Sequence, residues 1–439
     1  MNEFLPLRGI RICDFSAVWA GQTVTMYLAD LGAECIKVEN PYIWNPMTRA
    51  ASPRINAAIS SILPPWIGGH PNSDPGPRPW NNSPAFIHVL RNKRSMTVDS
   101  RRPEGLAVVK ALLRVSDVIV ENLAIGTLKK LGLDDDAIRA ERPDIVILHL
   151  SAFGKSGEYM LGRGYGSHID AVAGGTVLRG YRDTAPLDNV QIVPGDFNAG
   201  MHGAVAVLAA LRHRRRTGEG QVIEMAQSEG STQMFFQAAL DAAWNGRAAS
   251  SVGNRSIEGF VPNGVFPCRG SDRWIAISCR SDDEWLELVR FLGSPSWATQ
   301  EGMQTAAGRA AHEDEIEERL AAFTAGREAQ QLFHALQRAG VTAGPVLDAA
   351  DAANDPHLAA SDSWQPLPAT DDYPATLFGR PPYRFSMSDV RIRSAPALFG
   401  EHNDYVYREV LRLSEREIED LRRAGHIRDS FDASLVEGP

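Results

Sequence analysis

Apolar positions in the first third of the chain alternate between two rhythms. Residues 9–15 (GIRICDF) form a short apolar run bounded by polar residues, the pattern of a buried strand. Residues 20–32 (AGQTVTMYLADLG) carry apolar side chains at helical spacing and stop on a glycine. Residues 33–39 (AECIKVE) return to the strand pattern. This order predicts a βαβ unit, and such units build parallel sheets. The rhythm recurs, with a helix over 104–115, a strand over 116–122, a helix over 124–132 and a strand over 143–151. The first half therefore reads as an open α/β sheet.

Residues 40–84 break the pattern. Pro, Gly, Asn and Ser dominate there, with Trp44, Trp66 and Trp80 among them. So long a connection in a compact domain is usually functional, and its tryptophans argue for order near a site or an interface. A helix is predicted from about Ala199 to Arg214, and the stretch from 222 to 249 reads as largely helical. A second, smaller α/β segment follows, with a strand over 273–279 and a helix over 281–293 that carries acids in its first turn. Residues 340–356 read as a return linker. Near the end, LSEREIEDLRRAG has a serine followed three residues later by glutamate, a capping box.

The bulk numbers narrow the function. A chain of 439 residues has room for two or three domains, and 44% hydrophobic with 23% charged residues is ordinary for a soluble globular protein. The net charge of −9 argues against a nucleic-acid partner. Cys13, Cys35, Cys268 and Cys279 lack metal or disulfide spacing and read as reduced thiols of a cytoplasmic protein. The first residues carry no signal-peptide pattern, and no apolar run approaches membrane-spanning length, so no membrane partner is expected.

Familiar nucleotide and hydrolase motifs are missing. The turn after the first strand, SAVWAGQ, has one glycine where a dinucleotide fold needs several. The glycine cluster GRGYG (162–166) lies outside a strand-to-helix turn, and Glu39 alone at a strand end is weak evidence for ribose binding. There is no P-loop, no H-E-x-x-H and no G-x-S-x-G. What stands out is GDFNAGMH, where Asp196 sits between glycines at the mouth of the predicted helix. A helix N-terminus keeps a carboxylate ionised. That suits a helix cap and a carboxylate nucleophile alike, and the segment alone leaves both open.

Taken together, several stretches resemble the class III CoA-transferase family, that of formyl-CoA:oxalate and carnitine CoA-transferases (CaiB/BaiF-like). They are PLRGIRICDFSAVWAGQTVTMYLADLGAECIKVENP, LRNKRSMTVDSRRPEGLAVVKALLRVSDVIVENLAIGTLKKLGL, GDFNAGMHGAVAVLAALRHRRRTGEGQ, GVTAGPVLDAADAANDPHL and APALFGEHNDYV. They keep the family's order over nearly the whole chain. The resemblance implies a split Rossmann-like large α/β domain, with residues 1–225 as its N-terminal part and 355–439 returning to it. A smaller α/β domain at 240–345 is inserted, and two chains interlock as rings in a homodimer.

The resemblance also implies chemistry. Asp196 would attack an acyl-CoA, form an aspartyl-CoA thioester and pass CoA to a small carboxylic acid. CoA is then a co-substrate, with no tightly bound cofactor and no metal. The loop RNKRS, with Asn92, Lys93 and Arg94, and Lys130 in TLKKLG would hold CoA, and Gly174–Gly175 would offer N–H donors to the oxyanion. Trp19, Ser167 and His168 fall at the substrate pocket. Trp19 replaces a glutamine of the oxalate-using relatives, and Gly166–Ser167 replace a Tyr-Glu pair, which favours a bulkier and less polar acyl group than oxalate. Asn40 stands where an arginine often packs on adenine. Two alternatives remain. One is a 2-methylacyl-CoA racemase, whose catalytic histidine motif is displaced here by about three positions in YGSHIDAVAGG. The other is a non-catalytic partner subunit of a hetero-oligomeric transferase.

Overall fold

The computed structural model describes residues 4–63, 70–185, 188 and 193–437. Trp66 lies outside them. Two compact units emerge. One comprises Met1–Gly174, Gln191–Phe236 and Ala359–Pro439; the other comprises Gly175–Val190 and Gln237–Leu358. Segment 175–190, which the sequence reading leaves in the large domain, clusters with the smaller unit.

The large unit is built on six strands: β1 (Arg11–Asp14), β2 (Glu34–Glu39), β3 (Lys93–Thr97), β4 (Val118–Glu121), β5 (Val146–Ser151) and β6 (Val222–Ala226). All neighbours are parallel, in the order β3-β2-β1-β4-β5-β6. Its principal helices are α1 (Ala20–Asp30), α2 (Pro103–Arg114), α3 (Gly166–Val172), α4 (Pro194–Thr217) and α5 (Gln227–Thr232). Every residue of β4 and β5 is buried, as a sheet covered on both faces requires. Alternation along the strands splits the core in two. Cys13, Ile119 and Ile147 pack with α2 and with Tyr407 and Ile418 of the C-terminal segment. Ile12, Val118, Val146 and Leu148 pack with α1 and α4. The two helices approach closely because α4 offers Gly200 and Gly203. A methyl on Gly203 would sit 2.7 Å from the Val24 side chain, and one on Gly200 would collide with Thr23.

Several expectations need correction. Lys93 and Arg94 lie within β3, not in a loop before a strand. Residues 222–226 form β6 rather than helix, since a short apolar run does not reveal its period. Residues 342–346, read as linker, form β9. In the smaller unit, β7 (Asn263–Pro267), β8 (Trp274–Ser278) and β9 (Thr342–Val346) make an antiparallel sheet. Ile275, Ile277, Trp285, Leu320 and Leu336 form its core. The capping box is present: Ser414 accepts from Glu417 N–H, and Glu417 accepts from Ser414 N–H at 2.8 Å.

The described part of the 40–84 excursion is tied down from within. Arg49, 1% exposed, grips Glu39 at the end of β2 with two hydrogen bonds of 2.6 Å. It also donates to Asn81 at 2.9 Å, and Asn81 in turn donates to Asp372 at 2.9 Å. Both oxygens of Glu39 thereby accept from Arg49, which gives this carboxylate a structural role at the end of β2. Trp44, Trp80 and Phe399 pack around Phe431.

A second buried charge ends β1. Asp14 is fully buried and is met by Lys93 Nζ at 3.1 Å and Lys37 Nζ at 3.6 Å. Ser16 and Thr25 hydroxyls complete the set. Burial pushes the Asp14 carboxyl up, but the lysines and hydroxyls outweigh it and hold it below the usual carboxylate range. Lys93 also donates to Gln22 O at 2.8 Å and Thr25 Oγ1 at 2.6 Å, so its ammonium is spent inside the protein. Removing one partner of a buried pair strands the other. Lys93→Met should therefore lower stability by about 3 kcal/mol, near the lower end of the usual cost because Lys37 remains, as read by denaturant unfolding.

Candidate active site

The strand order runs outward from β1 in one direction and from β4 in the other. Such a reversal leaves a crevice at the carboxyl ends of the central strands, where ligands bind in open α/β sheets. Two cavities occupy that end of the large unit. The first, about 300 Å³, is lined by Ser16 and Ala17 after β1, Lys37 and Asn40 at the end of β2, Arg101 after β3 and Lys130 after β4. Trp44 and Arg49 of the excursion close one side. The second, about 410 Å³, is lined by Val18, Asn122, Ile125, Leu150, Met160, Gly162–Tyr165 and His168, and it contains Asp196 and Gln227. Leu123 lines both, so they are neighbours across one side chain.

The ridge between them is fixed by an amide clamp. Asn122 Oδ1 accepts from Ala17 N–H at 2.6 Å, and Asn122 Nδ2 donates to Ala17 O at 2.8 Å. This joins the turn after β1 to the turn after β4. The first turn carries Val18 at φ 56°, a left-handed conformation rare for a β-branched residue. Strain of this kind persists only where the surroundings enforce it. Val18 N–H donates to Thr48 Oγ1 at 2.9 Å.

Asp196 is not a helix cap. The helix α4 begins at Pro194, so Asp196 lies inside its first turn, and its carboxylate bonds no helix N–H among the described residues. Among the described residues its hydrogen-bond partner is Gln227, whose Nε2 donates to Oδ1 at 2.7 Å from the first position of α5. Gly166, at the start of α3, faces the other oxygen so closely that a Cβ there would collide with Oδ2. GRGYG thus does lead into a helix, and its last glycine makes room for the carboxylate. The carboxyl is 6% exposed. Burial pushes its pKa up to about 6, against the pull of the Gln227 hydrogen bond. Burial, and not the helix end, sets the titration of this group. At neutral pH it is still mainly ionised, and it is poorly hydrated, which suits a nucleophile.

Other residues named from the sequence are distributed as follows. His168 lines the cavity of Asp196. Its Nδ1 accepts from Tyr165 N–H at 3.3 Å, which puts the ring hydrogen on Nε2. Ser167 is half-buried and is not among the cavity-lining residues. Trp19 packs on Phe197, ring centroids 6.2 Å apart, while Val18 and Ala20 on either side line the cavity. Lys130 lies exposed at the first cavity. Asn92, Lys93 and Arg94 do not reach either cavity. Asn92 bonds Asp30 at 2.7 Å and caps the 393–394 backbone. Arg94 pairs with Glu34 at 3.2 Å and stacks on Tyr405. Gly174 and Gly175 are not among the lining residues either. Sequence reasoning missed Gln227, Asn122, Arg101 and Arg163. Only the fold brings them to the site, since Gln227 reaches Asp196 across 31 residues of chain.

Comparison with known proteins places most of the chain. Residues 7–403 match the sequence profile of CoA-transferase family III. A succinyl-CoA–D-citramalate CoA-transferase of Chloroflexus aurantiacus is 28% identical over 95% of this chain and 97% of its own length. The beta subunit of a succinyl-CoA–L-malate CoA-transferase from the same organism is also 28% identical, with the same two coverages. Among solved structures, a CaiB/BaiF family protein of Brucella suis superposes with TM-score 0.77 at 28% identity, covering 92% of this chain and 99% of that one.

If the Asp196 carboxylate acts ionised, the rate at limiting substrate falls as pH drops through about 6, with a slope of one proton. Gln227→Ala removes a donor that favours the charged form, so the acid limb should move to higher pH. A pH–rate profile of both proteins reads this out.

Proposed function

The chain belongs to CoA-transferase family III, a family of transferases, and on that footing we propose that it moves CoA from an acyl-CoA to a carboxylic acid through Asp196. The observation that carries this reading is the setting of Asp196: a buried carboxylate with one oxygen held by Gln227 and the other bare against glycine, in the cavity next to a cation-lined one.

Asp196 Oδ2 adds to the thioester carbonyl. The C–S bond breaks, CoA leaves as thiolate, and a mixed acyl-aspartyl anhydride remains. The thiolate then adds to the aspartyl carbonyl and expels the first acid as its carboxylate, which leaves aspartyl-CoA. An incoming carboxylate reverses the two steps and departs as the new acyl-CoA. Covalent relay replaces one difficult exchange by easier ones. Gln227 N–H, already on Oδ1, is placed to stabilise the oxyanion formed when the aspartyl carbonyl is attacked.

The nucleotide half of CoA fits the first cavity, where Lys130 and Arg101 are exposed cations and Trp44 supplies an aromatic wall. Apolar faces support a homodimer: Met201 and Val205 on α4, and Phe236 and Trp244 on the helix Phe236–Asn245, stand exposed. Four buried free thiols accord with a cytoplasmic setting. No helix among the described residues is long and apolar enough to cross a membrane.

The racemase reading draws on His168 beside Asp196 in one cavity. With the ring hydrogen on Nε2 and Nδ1 already accepting, the neutral imidazole can donate but has no free nitrogen to take an α-proton.

Intact-protein mass spectrometry after incubation with acyl-CoAs should show a CoA-sized adduct on Asp196, absent from Asp196→Ala, which should fold and not turn over. Turnover by that variant, or α-proton exchange in deuterated water without transfer, would dismiss the nucleophile. A silent chain that gains activity with a second homologous subunit would mark it as a partner. Lys130→Ala with Arg101→Ala should raise KM for acyl-CoA about tenfold while kcat changes little, as for lost ground-state phosphate contacts.

A further inference from the structure

The cavity of Asp196 contains a cation that the transfer chemistry above does not use. Arg163 lines it, and among the described residues the guanidinium makes no ion pair or hydrogen bond. Exposed arginines are usually solvated surface charges, but the backbone here is pinned on both sides. A Cβ on Gly162 would sit 2.9 Å from both the Phe153 ring and Tyr159 O, and one on Gly164 would sit 3.0 Å from Ile169. The loop is thus packed down against the unit, with Arg163 held between its two contacts. His168, in the first turn of α3 just after this loop, offers its Nε2–H as a second donor at the cavity. Ser151 at the end of β5 adds a buried hydroxyl with no hydrogen-bond partner among the described residues. Val18, Ile125 and Leu150 supply an apolar part of the wall, beside the Asn122 amide and Tyr165.

This arrangement fits a chain that is apolar in the middle and anionic at its far end. Arginine is the side chain best matched to a carboxylate, which it can bind with two parallel hydrogen bonds. Charge balance points the same way. A diacid brings a second negative charge towards the Asp196 carboxylate, and Arg163 is the one arginine or lysine lining this cavity among the described residues. Resting on the reading of Asp196 as nucleophile, we propose that Arg163 binds a second carboxylate at the far end of the acyl group, so that the substrates of this site are dicarboxylic acids and their CoA monothioesters. This revises the less polar acyl group that Trp19 implied, because Trp19 packs on Phe197 and its neighbours line the cavity instead.

The test compares donors of equal length with and without the distal charge: succinyl-, glutaryl- and adipyl-CoA against butyryl-, valeryl- and hexanoyl-CoA. The native enzyme should prefer the diacid member of at least one pair. Arg163→Gln should lose about 10- to 100-fold in kcat/KM for that diacid, the range of a lost charge-assisted hydrogen bond, and stay within about twofold for its monoacid partner. Arg163→Lys should fall between. Thermal midpoints should not move, since the side chain holds nothing else. An equal loss on both donors would place Arg163 on the CoA moiety and overturn the proposal, as would no loss, or a native enzyme indifferent to the distal charge. In those cases the Asp196 adduct still forms. No adduct from any of the donors would instead overturn the nucleophile, and the diacid proposal with it.

Discussion

Asp14 ends β1 with a carboxylate that water does not reach, and a charge so placed folds with the chain only if cations meet it. Lys93 comes from the neighbouring edge of the sheet, Lys37 from β2, and Thr25 from the second turn of α1. These partners fix where β1 stops and how α1 starts. Because β1 lies at the reversal of strand order, the same ion cluster sets the mouth of the crevice on which both cavities depend. The sheet could exist without it; the geometry of its carboxyl end could not.

From that point the site is assembled by short connections and not by any one motif. The turn after β1 is locked to the turn after β4 by the Asn122 amide, and the resulting ridge separates a cation-lined cavity from one holding a buried carboxylate. The second cavity takes its buried carboxylate from α4, its hydrogen-bond donor from α5 and its open space from a glycine at the head of α3. The Pro- and Trp-bearing excursion serves the first cavity. Arg49 anchors it to the end of β2, and this leaves Trp44 on the cavity wall.

Much of the fold was legible because strongly periodic segments carry their structure locally. β1, α1, β2, β4 and β5 were readable from apolar spacing alone, since strands buried on both faces must be continuously apolar. β3 was not, because its first two side chains are Lys93 and Arg94, and only the distant Asp14 explains why a lysine is buried there. β6 and β9 are five residues each, too short for their period to separate strand from helix or linker. Asp196 could be singled out as a glycine-flanked acid at a helix mouth, but its environment could not. Burial and the Gln227 contact arise from packing between segments, so the sequence suggested a helix-stabilised anion where the structure has a desolvated one. The basic run at 91–94 misled for a related reason. Cations in a row look like a ligand site until their partners Asp30, Asp14 and Glu34 are seen.

The two oxygens of Asp196 are chemically equal in the free amino acid and unequal here, one bonded to Gln227 and one facing Gly166. With Asp196 as the nucleophile, that asymmetry has an isotopic consequence. The oxygen that attacks is carried off in the departing acid, and the one that replaces it comes from the acceptor. The bonded oxygen never leaves. Each turnover therefore exchanges one atom of the enzyme for one atom of its substrate, always at the same position, and the protein that ends the cycle differs from the one that began it by a single oxygen.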